Sequence, residues 1–216
     1  MSEIKETEVL ESAQAFFEKN QKVVLGLAST ILIVFVAYIA FFHWYVPKQE
    51  VEAQNQMFKA VSYFENDNYE QALNGDGNFP GLLAIGNKYK FTKAANLSHY
   101  YAGISYLNTG KFQEAIDQLK KFSSDDKVLS TIALGSIGDA YFELKNAAEG
   151  ISYYKKAAAN EPNEFTTPIY LLRLALAQQN NGDKEGAISS LNRLKEEFPL
   201  TQEGRNAEKY LARLGQ

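Results

Sequence analysis

Hydrophobic positions fall into two regimes along the chain. From Val23 to Phe42 the sequence reads VVLGLASTILIVFVAYIAFF, with no Asp, Glu, Lys or Arg between Lys22 and Lys48. Beyond residue 48, apolar residues recur three and four apart among charged and amide side chains, the spacing of amphipathic helices. The first regime predicts a helix that is apolar all round. Twenty helical residues rise about 30 Å, the thickness of a bilayer's hydrocarbon core, and 13 of these 20 are Val, Leu, Ile or Phe. His43, Trp44 and Tyr45 follow, a set suited to a membrane–water interface, and Pro47 ends this helix or starts the next. Residues 23–42 are therefore expected to form a retained transmembrane helix behind a short segment, 1–22. A cleavable signal peptide fits less well, because its apolar core runs roughly 7–15 residues and needs small residues where Tyr38 stands.

Lys19 and Lys22 flank one end of the apolar stretch and Lys48 the other, a lysine bias that favours a cytoplasmic N-terminus. In a bacterium this would place residues 43–216 in the periplasm, on a single-pass inner-membrane protein. Before the anchor, Val9, Leu10, Ala13, Phe16 and Phe17 share one helical face. That stripe either lies on the membrane or docks on a partner, or the segment simply continues the anchor helix.

Residues 43–216 repeat themselves. Glu114-Ala-Ile, Glu149-Gly-Ile and Gly186-Ala-Ile are spaced by 35 and 37 residues. In the same phase stand Gly103, Gly138 and Ala175; then Tyr106, Tyr141 and Gln178; then Leu119, Tyr154 and Leu191; and finally Phe122, Ala157 and Leu194. Small residues in one column let two helices approach closely, and the Tyr and Leu columns fill the space between pairs. Gly110 and Gly182 suit turns that need positive φ, and Pro168 suits a first helical turn. This pattern resembles the tetratricopeptide repeat, a helix–turn–helix unit of about 34 residues. An earlier unit carries Ala60, Tyr69 and Ala72 in phase, with a helix over about 50–66, and is interrupted by Asn74–Gly81. Leu82–Tyr89 resumes it before Thr92 starts the next pair, and a helix through Ala207, Tyr210, Leu211 and Leu214 caps the end. The expected fold is all-α: one transmembrane helix, then a right-handed superhelical solenoid of about four helix pairs and a cap.

Composition removes most chemistry. With 22 Lys+Arg against 26 Asp+Glu, the net charge of −4 offers no excess of cations for nucleic acid. No cysteine and only His43 and His99 leave no thiolate nucleophile, Cys-type zinc site or histidine cluster. Asn74, Asp76 and Asn78 alternate like a calcium loop, but Phe79 and Ile85 stand where that motif needs Gly and Glu. Gly81–Lys88 resembles a phosphate loop except that Asn87 replaces the lysine. His99 reads as a structural histidine, and Asn96-Leu97-Ser98 as a chance glycosylation triplet inside a helix. No catalytic set, cofactor or metal is expected.

What remains is binding. The first helix of each pair would line the concave face with Tyr100, Ile104, Leu107 and Asn108 in one unit, and Asp139, Phe142 and Glu143 in the next. Leu172, Arg173, Leu176 and Gln179 would line it in the last. Aliphatic and aromatic groups with a few polar ones suit an extended peptide or a partner helix, although Leu107 and Leu176 could equally bury themselves between helices. Phe16-Phe17-Glu18-Lys19-Asn20-Gln21-Lys22, entering a single anchor and followed by the repeats, resembles the ancillary subunit of the bacterial Sec translocon, the YfgM type. That resemblance implies a non-enzymatic periplasmic adaptor beside Sec subunits and a membrane-anchored chaperone of the prolyl-isomerase type, with Phe16, Phe17, Lys19, Asn20 and Lys22 as its membrane or partner-facing motif. The 74–81 insertion departs from that family's compact first repeat. Gly26, Ala28, Ser29 and Thr30 would permit close packing of the anchor against another helix. A cytosol-facing import receptor and a scaffold for another envelope complex are the alternatives.

Overall fold

A computed structural model describes residues 2–160 and 162–215, with side chains from Phe16 onward. The described residues are helical throughout except for turns, loops and one isolated bridge between Gly75 and Pro80. They form two compact units, Met1–Gln49 and Glu50–Gln216.

The first unit contains α1 (Ser2–Ala40) and a π-helical turn (Phe41–Tyr45). The helix does not break at Lys22, so residues 2–22 continue it; the stripe positions Val9, Leu10 and Ala13 lie outside the described side chains. None of the apolar window is buried within the protein, and Ile31, Ile33 and Phe35 are each more than half exposed. A core helix of a water-soluble protein would be covered along this face. Its few polar groups are satisfied locally: Ser29 Oγ donates to the Leu25 carbonyl at 2.9 Å and Thr30 Oγ1 to that of Gly26 at 2.8 Å. Such back-bonding satisfies both hydroxyls within the helix itself.

The chain continues directly into α2 (Val46–Glu65), and the backbone stays helical through Pro47, so the proline neither ends one helix nor starts a separate one as the sequence suggested; the π-helical turn just before it absorbs the missing N–H. Next come α3 (Tyr69–Asn74), α4 (Leu82–Lys88), α5 (Lys93–Asn108) and α6 (Phe112–Leu119). The last five are α7 (Lys127–Glu143), α8 (Ala147–Ala159), α9 (Thr167–Asn180), α10 (Lys184–Glu197) and α11 (Gln202–Arg213). The expected pairs are α2/α3–α4, α5/α6, α7/α8 and α9/α10, with α11 capping the end. The interrupted pair is tied down by Asp76, which accepts from the Asn78 and Phe79 amides and from the Tyr63 hydroxyl at 2.6 Å.

All four pairs bend in the same way. The residue at the bend is left-handed in each: Asp67 (φ 58°), Gly110 (74°), Lys145 (61°) and Gly182 (82°). The following amide bonds back to Tyr63, Tyr106, Tyr141 and Gln178 respectively, each at 2.9 Å, closing the carbonyls that a helix end leaves open. The Tyr/Gln column therefore marks where the bend closes, and Tyr63 extends it to the first pair.

At the opposite edge, side chains tie helix ends together, within a pair at Asn96 and Asn160 and between pairs at Glu50 and Arg193. Glu50 accepts from the Lys93 and Ala94 amides at the start of α5 (2.6 and 3.2 Å). Asn96 donates to the Ser123 carbonyl at 2.7 Å and accepts from its amide at 3.0 Å. The Asn160 amide reaches Ser130 and Thr131 at 2.9 Å, and Arg193 reaches the Ala158 carbonyl. Between these two edges runs the apolar core, from Ala53, Leu73 and Ile85 through Ile116, Leu119 and Ile137 to Leu171, Leu191 and Leu211.

Candidate partner-binding groove

Three glycines seat three aromatic rings where α7, α8 and α9 meet. A Cβ on Gly138 would fall 2.7 Å from Tyr154, one on Gly150 2.5 Å from Phe142, and one on Gly135 1.9 Å from Tyr170. Without side chains there, the rings lie directly on the neighbouring backbone. Phe142 and Tyr154 consequently stack at 5.1 Å with 26° between their planes, and Tyr170 packs 6.3 Å from Tyr154.

Against these rings sits a polar knot. Arg173 Nη1 contacts Asp139 Oδ1 at 2.6 Å and Oδ2 at 2.7 Å, and the Tyr154 hydroxyl donates to the same Oδ1 at 2.6 Å. The guanidinium also lies 5.6 Å from the Tyr170 ring centre. Burial, reinforced by the hydrogen bond to Asp139, holds the Tyr154 hydroxyl far above the ordinary tyrosine range. Burial also lifts Tyr170, which is pushed up to about 12 with help from the Asp139 charge. Both hydroxyls are neutral at any physiological pH, and the knot works as a hydrogen-bonded clamp between two repeats.

Beside the clamp opens a cavity of about 380 Å³, lined by Phe142, Ala147, Tyr154, Arg173, Leu176, Ala177, Asn180 and Asn181. Its walls are mainly apolar, with the Asn180 and Asn181 amides at the rim. That combination holds a large apolar side chain and offers hydrogen bonds to the backbone beside it.

The sequence-derived groove residues thus divide. Asp139, Phe142, Arg173 and Leu176 come together around one cavity and its clamp. Tyr100, Ile104 and Leu107 pack half-buried against the α6–α7 part of the core, Tyr100 meeting Phe122 at 5.2 Å. Leu172 packs half-buried on the α8–α11 part of the core. Asn108, Glu143 and Gln179 are exposed, and Asn108 donates to the Ile104 carbonyl. On α1, Phe16, Phe17, Lys19 and Lys22 are exposed, while the Asn20 amide donates to the Phe16 carbonyl. Tyr154 and Tyr170 escaped the sequence-based choice. Tyr154 sits in a packing column on a second helix, and spacing alone does not say which side of such a ring is open.

Elsewhere the candidate chemistry resolves into structure. His99 Nδ1 lies 2.8 Å from Gln118 Oε1, and its ring packs against Gly86. Asn96 is committed to Ser123, as described above, and Ser98 is fully buried. Among the described residues no group of three or more His, Asp or Glu side chains is placed to hold a metal ion.

Family models of the tetratricopeptide repeat match residues 100–165 and 170–201. Among solved structures, the chain is similar to a Podosopora anserina protein described as having kinesin light chain nearly identical TPR-like repeats. The identity is 17%, with a TM-score of 0.57, covering 76% of this chain and 85% of that one. A single-residue variant of the same protein matches at 16% identity and TM-score 0.57, over 76% and 84% of the two chains. No curated protein matches at a significant level. The matched segments, 100–165 and 170–201, are similar to the tetratricopeptide repeat, and the second unit has an all-helical fold like that of a tetratricopeptide-repeat solenoid.

Proposed function

We propose that the protein is a membrane-anchored, non-enzymatic adaptor whose groove holds a segment of a partner protein. The cavity between Phe142, Tyr154 and Leu176, with its amide rim, is the observation that carries this reading, because it offers an anchor pocket beside a rigid clamp. Tetratricopeptide repeats generally work by binding other proteins, which supports an adaptor or scaffold role. The uncovered apolar length of α1 supports a single-pass anchor at residues 23–42. The resemblance of the Phe16–Lys22 motif supports a specific setting: the bacterial inner membrane, with the repeats in the periplasm. There the protein is an accessory of the Sec translocon that passes exported chains to a membrane-bound periplasmic chaperone.

A photo-crosslinker at Phe142 in living cells tests the reading. Adducts with translocon subunits, the chaperone or exported chains are expected, and a crosslinker at exposed Glu185 on α10 should give none of them. Adducts with unrelated envelope complexes would replace the Sec assignment by the scaffold alternative. Protease added to spheroplasts should digest residues 43–216; protection would put the repeats in the cytosol, as in an import receptor.

A further inference from the structure

The α7/α8 pair carries two aromatic stacks, and they face different neighbours. Phe142 and Tyr154 pack toward α9, where Asp139 joins Arg173 to the Tyr154 hydroxyl. The residues one position earlier on each helix, Tyr141 and Tyr153, stack at 5.4 Å with 30° between their planes and pack on the α6–α7 part of the core. Beside them stands Lys120, just past the end of α6. Its ammonium donates to the Tyr141 hydroxyl at 2.9 Å and lies 5.3 Å from the Tyr141 ring centre and 5.8 Å from that of Tyr153. Lys156, on α8, places a second ammonium 4.3 Å from the Tyr153 ring centre. Both lysines are exposed and both rings are half-buried.

Elsewhere in the chain, a cation and a tyrosine that join different helices are completed by a carboxylate. Lys88 and the Tyr89 hydroxyl both donate to Glu52, Lys111 lies over Tyr106 and pairs with Glu70, and Arg173 and Tyr154 share Asp139. The Lys120 set lacks that component. Among the described residues no carboxylate lies within ion-pair distance of Lys120 or Lys156. Asp117, the acid nearest Lys120 along the chain, accepts from the Gln113 amide at 3.0 Å instead, and Glu149 stands in the first turn of α8, at the other end of that helix from Lys156. A hydroxyl that accepts from an ammonium keeps its own proton to give, so the Tyr141 O–H and the other ammonium N–H groups form a donor set with no anion in it. The hydrogen bond to Tyr141 holds Lys120 above the usual lysine range, so its charge persists at physiological pH.

We infer that Lys120, Tyr141, Tyr153 and Lys156 form a second binding surface, which takes an acidic segment of a partner protein through a carboxylate placed as Asp139 is at the neighbouring junction. Two uncompensated cations call for an anion by charge complementarity. The three completed sets favour a carboxylate over a phosphate, because each shows this chain closing a cation and a tyrosine with Asp or Glu. The tyrosine faces then leave room for the apolar stems of the acidic side chains. None of the four residues lines the cavity at Phe142 and Leu176, so one segment can be held there and another at this surface. The inference goes beyond the groove reading and does not depend on it.

The probe is a fluorescein-labelled peptide of alternating Glu and Ser, followed by anisotropy as the full-length chain in neutral detergent micelles is added. Binding is expected, weakening as ionic strength rises, and the same peptide with Gln for Glu should not bind. Lys120→Gln and Lys156→Gln should each weaken binding about fivefold, and Tyr141→Phe, which removes a donor but no charge, about twofold. Lys209→Gln removes the same charge from an exposed position on α11 and should leave binding unchanged. Equal weakening by Lys209→Gln reduces the effect to net charge and overturns the inference. It is overturned as well if the peptide does not bind, or if Lys120→Gln and Lys156→Gln bind it as the natural chain does. Displacement by inorganic phosphate or glycerol phosphate, at an ionic strength where chloride leaves the peptide bound, gives the donor set to a phosphate ligand and overturns the acidic-segment assignment. Matching far-UV circular dichroism across the variants confirms that each is folded. Crosslinking at Phe142 reads the groove separately, so failure here leaves that reading standing.

Discussion

In the repeat made by α7 and α8 the backbone bends at Lys145 with φ 61°, and in the repeat made by α9 and α10 it bends at Gly182 with φ 82°. The first closes its bend on Tyr141 and the second on Gln178, with the same 2.9 Å bond. Their helices also approach differently. The middle repeat has Gly135, Gly138 and Gly150 where the last has Leu172, Ala175 and Ala187, so aromatic rings press onto its backbone rather than side chain onto side chain. Repeat geometry is thus kept by hydrogen-bond closure and close approach, while the residues that deliver them are interchangeable. The glycines of the middle repeat leave it short of side-chain volume, and Tyr154, Phe142 and Tyr170 fill the space while shaping the groove. The clamp of Asp139, Tyr154 and Arg173 then joins the two unlike repeats across their boundary.

Charging that joint should produce the largest effect. Tyr170 ionises near 10 when unfolded and is pushed up to about 12 in the folded chain, chiefly by burial. A tyrosine whose folded value is raised contributes its stability in full below pH 10 and loses it as pH climbs to about 12. The rise from 10 to about 12 corresponds to roughly 3 kcal/mol. Thermal melts between pH 9 and 12 should fall steeply for the natural chain and less steeply for Tyr170→Phe. Equal slopes would mean that burial of this hydroxyl is not what makes the joint sensitive to base.

Removing the space tests the same contrast from the other side. In Gly135→Ala the new methyl would meet the Tyr170 ring at 1.9 Å, and the ring is 6% exposed, so it cannot simply swing into solvent. Overpacking of this kind costs about 1–3 kcal/mol, read as a lower urea midpoint with an unchanged slope. The equivalent residue of the last repeat, Leu172, already carries a large side chain, and its loss in Leu172→Ala should cost through a cavity instead. Asp139→Ala comes next, at about 1–2 kcal/mol, because it strands the Tyr154 hydroxyl as well as Arg173. Arg173→Ala should cost less, since its side chain is 44% exposed and the ion pair is partly screened. A double-mutant cycle giving no coupling between positions 139 and 173 would show the clamp to be energetically idle.

Much of this arrangement could be read before any coordinates, and the limits are instructive. The columns at Gly103/Gly138 and Tyr106/Tyr141 put the helices in phase. Asp139, Phe142, Arg173 and Leu176 follow from that phase, because positions on successive first helices turn toward the same side. Gly110 and Gly182 announced two of the four bends. Lys145 did not, since nothing in a lysine marks a left-handed backbone, and Asp67 did so only weakly, within the run Asn66-Asp67-Asn68. Tyr154 and Tyr170 were hidden for a related reason. Periodicity finds the Tyr154 ring and the glycines at 138 and 150, but not which ring lies on which glycine, because ring and glycine belong to different helices and their pairing sets which face stays open. The helix that continues through Lys22 was one of the readings the Val9–Phe17 stripe allowed, because polar residues interrupt hydropathy without interrupting helix formation.

The smallest effect separates the two bends most directly. A side chain in the left-handed region costs roughly 1 kcal/mol relative to glycine, because Cβ crowds the neighbouring carbonyl. Lys145→Gly should therefore raise stability by up to about 1 kcal/mol, offset in part by the larger entropy of glycine in the unfolded chain. Gly182→Ala, where nothing lies within 4 Å of the added methyl, should lower it by a similar amount through backbone strain alone. Lys145 is exposed and lies outside the cavity lining, so its replacement should leave partner crosslinking at Phe142 unchanged while shifting the urea midpoint upward. If Lys145→Gly instead destabilises the protein, the lysine must contribute contacts that outweigh its strained backbone. The two repeats would then differ in how they hold the bend, and not only in which residue occupies it.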